Sequence, residues 1–440
     1  MKSDPPKEKH DHLPLSFPEG FLWGAATSAH QVEGKNASSD WWAWEQNLPA
    51  DRQSGVADDQ YNLYESDFDL AKSLGHNAHR LSIEWARIEP KEGFFDPEAI
   101  EHYKKVLKAL KDRGLTVMLT LHHFTNPKWI ADKGGWENGQ TVKYFERFVK
   151  KIVPEIKDYV DLWVTINEPG VYSFCSYLIG KWPPQKKSQF LSFKVLWIMA
   201  RAHKKAYKAI HEIIPNSMVG IANNVQSYHA YHKHSFIEQM AVLLGDGITN
   251  HLFYTMTQGC HDFLGVNYYF HHRLRKAEQM LPRVEEVDRL NLDVSDLGWE
   301  IFPEGIYDVL TDLADHIPIY ITECGIASTN DDRRCRFLIS YLQATFHAIN
   351  SGVNVKGFFV WSLLDNFEWA DGFNPRFGII EVDYETQRRI PRPSAYVYEA
   401  IARENAIPHH LLRFIGHTVK AEEVLCFKHD GPKALCEHLK

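Results

Sequence analysis

Apolar runs and amphipathic stretches alternate along most of this 440-residue chain. β-like runs fall at residues 21–27, 77–85, 115–124, 159–168, 217–223, 262–269, 317–323 and 355–362, and helix-spaced segments follow them. Several runs are almost unbroken, as in Leu115-Thr-Val-Met-Leu-Thr-Leu121 and Lys356-Gly-Phe-Phe-Val-Trp361. That composition suits strands of a parallel sheet covered on both faces. In 97–113, Ile100, Tyr103, Val106, Leu107 and Leu110 share one helical face with charges opposite, and Gly114 ends the helix just before the next strand. Segments 58–74, 141–157, 190–213, 304–315 and 331–351 repeat the theme. Eight strand–helix rounds predict an α/β fold, a single (β/α)8 TIM barrel over residues 15–407. A doubly wound open sheet is the alternative, but the turn after strand one, Gly24-Ala-Ala-Thr-Ser28, lacks the glycine spacing that cradles a phosphate. Three stretches fall outside the rhythm: a polar leader at 1–14, expected to be disordered, a polar segment at 271–297 that reads as a long loop, and a C-terminal extension at 408–440 of unknown role.

Composition narrows the function classes. With 44% hydrophobic and 24% charged residues the chain is globular in character. Lys plus Arg number 49 against 57 Asp plus Glu, a net charge of −8, which argues against a nucleic-acid partner. No apolar run is long enough to span a membrane, so no membrane partner is expected. The six cysteines are sparse and form no C-x-x-C pair, and the N-terminal residues do not form a secretory signal, so a reduced, cytoplasmic protein is expected. His229, His232 and His234 cluster in sequence, but no cysteine lies near them, and neither a metal nor a cofactor is expected. Aromatic content is the least average feature, 13% of the chain, and some of that ring surface is available for a ligand.

In a barrel, chemistry sits where strands end. Those ends supply Gln31, His122 and His123, Asn167 and Glu168, Asn267, Tyr268 and Tyr269, Glu323, and then Trp361, Asp365, Asn366, Glu368 and Trp369. His123 is the better candidate of its pair, since strand alternation points the two imidazoles in opposite directions. Glu168 and Glu323 close strands four and seven, which face each other across the mouth. One carboxylate at a strand end commonly caps a helix or pairs with an arginine. Two of them ringed by Trp, Tyr, Asn, Gln and His form an arrangement suited to cleaving a glycosidic bond without a metal. Aromatic faces stack on sugar C–H faces, and amides, imidazoles and carboxylates take up hydroxyls.

The chain resembles glycoside hydrolase family 1, the β-glucosidase family, over roughly residues 15–405. The resemblance rests on Phe21-Leu-Trp-Gly-Ala-Ala-Thr-Ser-Ala-His-Gln31, Arg80-Leu-Ser-Ile-Glu-Trp85, Thr165-Ile-Asn-Glu-Pro169, Asn267-Tyr-Tyr269, Ile321-Thr-Glu323 and Trp361-Ser-Leu-Leu-Asp-Asn-Phe-Glu-Trp369, in that order. It implies a retaining double displacement with Glu323 as nucleophile and Glu168 as general acid/base. Arg80 and Tyr269 would hold Glu323, and Asn167 the sugar 2-hydroxyl. Gln31, His123, Glu368 and Trp369 would grip the other hydroxyls, Trp361 would form the floor, and Asn267 and Phe377 would complete the substrate site. A bell-shaped pH profile is implied, and an unphosphorylated β-glucoside, β-galactoside or β-fucoside as the small-molecule substrate. The sequence departs from the family at Cys324, where asparagine is usual, at Phe124, where many members carry tryptophan, and over 224–261, which is shortened between strands five and six. That short wall motivates a second expectation, a sugar- or ligand-binding barrel with little turnover. A metal-dependent barrel hydrolase using the histidines is a third.

Overall fold

The structure, a computed structural model, describes residues 14–276, the backbone of 284–286, and 293–415. The expected runs become β1 (Leu22–Ala26), β2 (Ala78–Ser82), β3 (Thr116–Thr120), β4 (Leu162–Asn167), β5 (Met218–Ala230), β6 (Phe263–Lys276), β7 (Ile319–Cys324) and β8 (Val355–Trp361). Each pairs in parallel with its sequence neighbours, β8 returns to β1, and β5 pairs with β6, so the ring is closed. The chain is an α/β barrel of the TIM type.

The helical layer comprises α1 (Gln60–Ser73), α2 (Pro97–Asp112), α3 (Thr141–Ile156), α4 (Gln189–Ile213), α5 (Phe236–Asp246), α6 (Glu304–Asp312), α7 (Asp331–Asn350) and α8 (Pro393–Glu404). Local chemistry sets their limits. At α2 the Asp96 carboxylate accepts from the Glu98 and Ala99 amides and Pro97 occupies the first turn. Gly114, at φ 66°, then turns the chain toward β3. Most strand–helix packing lies in two apolar layers around the ring, one under α2–α4 and one under α6–α8. The lumen is a third, smaller core of Ala26, Ala78, Met118, Leu162, Val164, Ala222, Phe263, Phe359 and Trp361. It is a packed interior, so any ligand is confined to the mouth. Gly24 leaves room for this packing, since a Cβ there would stand 2.7 Å from both the Phe359 ring and the Ala78 carbonyl oxygen.

Two stretches differ from the sequence reading. Residues 224–230, expected to lie beyond the end of strand five, continue β5. Residues 271–276 likewise continue β6 where a loop was expected. The β5–β6 ladder runs from Gly220↔Phe263 to Ala230↔Leu274, well past the rim, and the short strand 284–286 adds antiparallel to β6. This parallel arm rises from the mouth face, because parallel strands all end there. The region between β5 and β6 is short, yet the ring has no gap at that point.

The ends of the described fold meet: Leu15–Ser16 pairs antiparallel with Ala406–Ile407. Of the stretch 408–440, a 3-10 helix at His409–Phe414 buries Leu411 and Phe414 against the outer core. The rest of that stretch, and the leader through residue 13, lie outside the described residues.

Candidate active site

A cavity of about 280 Å³ opens at the C-terminal mouth of the barrel. Its lining includes Gln31, His123, Asn167, Glu168, Tyr269, Glu323, Trp361, Glu368, Trp369 and Phe377. Arg80 and Asn267 lie beneath, each hydrogen-bonded to residues of that lining. All twelve residues to which the family resemblance gives a role are thus brought to one place. His122 is turned away, with its Nε2 3.1 Å from Asn126 Oδ1, in the layer between strands and helices. Asp365 is structural: fully buried, it accepts from Arg392 Nη1 at 2.9 Å and Nη2 at 2.8 Å, and from the Gly378 amide at 2.9 Å. Cys324, next to Glu323, points into the outer core, where burial pushes its thiol well above the usual range.

Backbone irregularities aim the two carboxylates. Adjacent residues of a strand ordinarily face opposite ways, yet Asn167 and Glu168 both line the cavity. The β4–β5 register shifts between Val164 and Asn167, and Glu168 then adopts a left-handed conformation at φ 42°. Phe124 and Trp369, also in the lining, are left-handed at φ 70° and 52°. In β7, Thr322 is the extra residue of a bulge, which places Glu323 opposite Asn267.

Glu323 is gripped by one cation and one hydroxyl. Arg80 Nη1 donates to Glu323 Oε1 and to the Thr322 carbonyl, while Arg80 Nη2 donates to Asn167 Oδ1 at 2.6 Å. The Tyr269 hydroxyl donates to Glu323 Oε2 at 2.8 Å. Glu168 is treated differently. Its Oε1 accepts from Asn267 Nδ2 at 2.8 Å and Asn224 Nδ2 at 3.2 Å, and no cation pairs with it among the described residues. Burial, reinforced by the charge of Glu323, pushes the Glu168 carboxyl up to about 8. One acid is therefore held by an arginine and the other is pushed toward its protonated form, the separation of roles that acid–base chemistry on a sugar needs.

Around them the walls are aromatic and amide. The His123 ring lies near parallel to Trp361 and Trp369, with centroids 6.2 and 6.1 Å away. Burial and the nearby Arg80 hold His123 well below its ordinary value, so it stands neutral and can share a proton with a hydroxyl. Gln31 Nε2 donates to Asn366 Oδ1 at 3.0 Å and to the Phe367 carbonyl at 2.9 Å, and reaches Glu368 Oε2 at 3.4 Å. Glu368 is pushed up to about 8 by burial, with Asp371 and Glu323 adding to the effect. Lys181, the one lysine or arginine in the lining among the described residues, is paired with Asp371 at 2.8 Å.

Some lining residues were missed in the sequence. Asn224 is one, because strand five was expected to stop at Asn223; the Asn223-Asn224 pair ending an apolar run was the available signal. Trp182, Phe270 and Trp299 also face the cavity. They come from loops and from the arm, where hydrophobic periodicity says nothing about direction.

The model of a family described as Glycosyl hydrolase family 1 matches residues 13–257 and 227–407. Beta-glucosidase A of Thermotoga maritima is 31% identical over 89% of this chain and 98% of its own length. A beta-galactosidase of Sulfolobus acidocaldarius is 32% identical over 90% of this chain and 97% of its own. Among solved structures, the beta-glycosidase from Pyrococcus horikoshii superposes with a TM-score of 0.85 at 38% identity, covering 92% of this chain and 99% of that one.

Proposed function

The chain belongs to glycosyl hydrolase family 1 and is an O-glycoside hydrolase, and from that premise we propose that its mouth cavity cleaves unphosphorylated β-glucosides, with β-galactosides and β-fucosides as further substrates, by retaining double displacement. The observation that carries this reading is the unequal treatment of Glu168 and Glu323.

In the first half-reaction Glu323 attacks the anomeric carbon from the face opposite the aglycone. Arg80 and Tyr269 hold the attacking carboxylate and aim it. Glu168 gives its proton to the glycosidic oxygen as the C–O bond breaks, and a glycosyl ester on Glu323 remains. Esterification removes the Glu323 charge, one of the causes that raise Glu168, so Glu168 becomes more acidic. It then takes a proton from water, which attacks the ester carbon and releases the sugar with its original configuration. Asn167, fixed by Arg80 and 3.2 Å from His123 Nε2, offers its amide to the 2-hydroxyl. Gln31, His123 and Glu368 bind the remaining hydroxyls over the Trp361 floor.

The lining also supports an unphosphorylated glycone. A 6-phosphate needs free cations, and Lys181 is already paired with Asp371. Glu368, pushed up to about 8, holds its proton at neutral pH and can both donate to and accept from a hydroxyl.

Retention is tested by following an aryl β-glucoside by proton NMR. The β-anomer of the free sugar is expected first, with mutarotation later; the α-anomer appearing first would refute double displacement. The pH profile gives a second check. Glu168 must carry a proton when substrate binds, so kcat/KM is expected to fall as pH rises through about 8. Asn224 stabilises the ionised form of Glu168, so Asn224→Ala is expected to move that alkaline limb to higher pH, by up to about one unit for the loss of one hydrogen bond to a charged group. An unmoved limb in a folded Asn224→Ala variant would separate this limb from Glu168.

A further inference from the structure

The helical layer beside the mouth is inverted on one side. In α5 the single buried side chain is Glu238, whose carboxylate accepts from the His232 and Lys276 amides, while Phe236 is 77% exposed, Leu243 65% and Leu244 64%. A barrel helix ordinarily turns its apolar face to the strands. α4, which follows the preceding strand, adds Phe190, 75% exposed, with Phe193 and Trp197 one and two turns on. Such a collection exceeds the scattered apolar residues of an ordinary surface.

The same stretch is strongly basic. Residues 181–276 carry twelve lysines and arginines against four aspartates and glutamates, in a chain whose net charge is −8. Lys186, Lys187, Arg201, Lys204 and Lys208 are all exposed in or just before α4, and the Arg201 guanidinium lies 4.7 Å from the centre of the Trp197 ring. Aromatic and leucine side chains flanked by long cations are the composition of a surface that lies in a bilayer interface, with the rings at the headgroup boundary and the cations among anionic headgroups.

The position of this surface gives it a use. Both helices follow strands that end at the mouth, so their first turns stand beside it. Ser173 Oγ donates to the Ser192 carbonyl at 2.7 Å, which ties the first turn of α4 to the segment following Glu168. Ile179, in the cavity lining, is itself exposed and places an apolar side chain at the rim.

We propose that the α4–α5 wall docks on an anionic lipid bilayer and thereby sets the mouth against glycosides whose aglycone is a hydrocarbon chain held in that bilayer. The substrate class in this statement rests on the glycosidase reading above, whereas the docking does not. A second copy of the chain is the poorer occupant, because face-to-face pairing would bring two basic walls together.

The test is co-sedimentation of the full-length protein with vesicles of phosphatidylcholine alone and of phosphatidylcholine with about one-third phosphatidylglycerol. Binding is expected to the anionic vesicles and to fall at high salt. Phe236→Ser with Leu244→Ser, and separately Lys186→Glu with Lys204→Glu and Lys208→Glu, are each expected to lower the bound fraction at least tenfold. Hydrolysis of a soluble aryl β-glucoside should be unchanged in both, which shows that they fold. Wild-type protein should also turn over an octyl or dodecyl β-glucoside faster with anionic vesicles present, and the variants should lose that increase. Equal sedimentation with and without vesicles would overturn the docking. So would a dimer in size-exclusion chromatography that the serine variant dissociates while vesicle binding is absent. Normal docking with no turnover of any glycoside would instead count against the glycosidase reading alone.

Discussion

Replacing Glu323 by alanine is expected to lower kcat for an aryl β-glucoside by about 10⁴-fold or more, the scale seen when a nucleophile is removed from a unit that works together. The side chain lost is the one that Arg80 and Tyr269 hold and on which the proposed glycosyl ester forms. The variant leaves Arg80 facing a small void on the α side of the sugar, which a small anion can enter. Added azide is therefore expected to restore turnover of an activated aryl glucoside and to give the α-glycosyl azide, because it attacks from the position of the missing carboxylate. Substantial residual hydrolysis in the purified variant, or a β-azide product, would remove Glu323 from the nucleophile role.

Glu168→Gln should behave differently. With a poor leaving group, whose oxygen must receive a proton as the bond breaks, kcat/KM is expected to drop by about 10²–10⁴-fold, the usual scale of general acid catalysis. With a dinitrophenyl glucoside that proton is not needed, so kcat/KM should change little. Release of the sugar from Glu323 still lacks its base, so the ester should accumulate, visible as a pre-steady-state burst and a lowered KM. The variant also assigns the alkaline limb. Glu168 and Glu368 are both pushed to about 8. If the limb belongs to Glu168 it disappears in Glu168→Gln; if it persists, it belongs to Glu368. An equal loss of kcat/KM on good and poor leaving groups would argue against an acid/base role.

Most of the barrel was legible because burial on both faces writes itself into sequence. β3 and β8 are nearly unbroken apolar runs, and α2 carries its stripe, its cap and its terminal glycine in order. The residues at strand ends could be named for the same reason, since a strand delivers the side chains that follow it to the mouth. The β5–β6 arm was not legible. Past the rim, residues such as Gln226, Ser227 and His229 hold their place through backbone ladder bonds and are themselves polar, so no apolar pattern marks them as strand. Asn224 was missed at that same boundary. The outward apolar face of α5 was not legible for the opposite reason: its spacing is helical, but periodicity cannot say which face turns outward.

The left-handed backbone at Phe124, Glu168 and Trp369 bears on how this mouth can change over generations. A β-branched residue resists that conformation, so valine, isoleucine and threonine are costly there whatever the substrate demands. The three positions act as fixed hinges of the rim, and mutational drift in glycone or aglycone preference is channelled to neighbours with ordinary backbone, such as Val171, Ile179 and Phe377. A library built to redirect this enzyme would recover its functional members at those neighbours and come back nearly empty at the hinges.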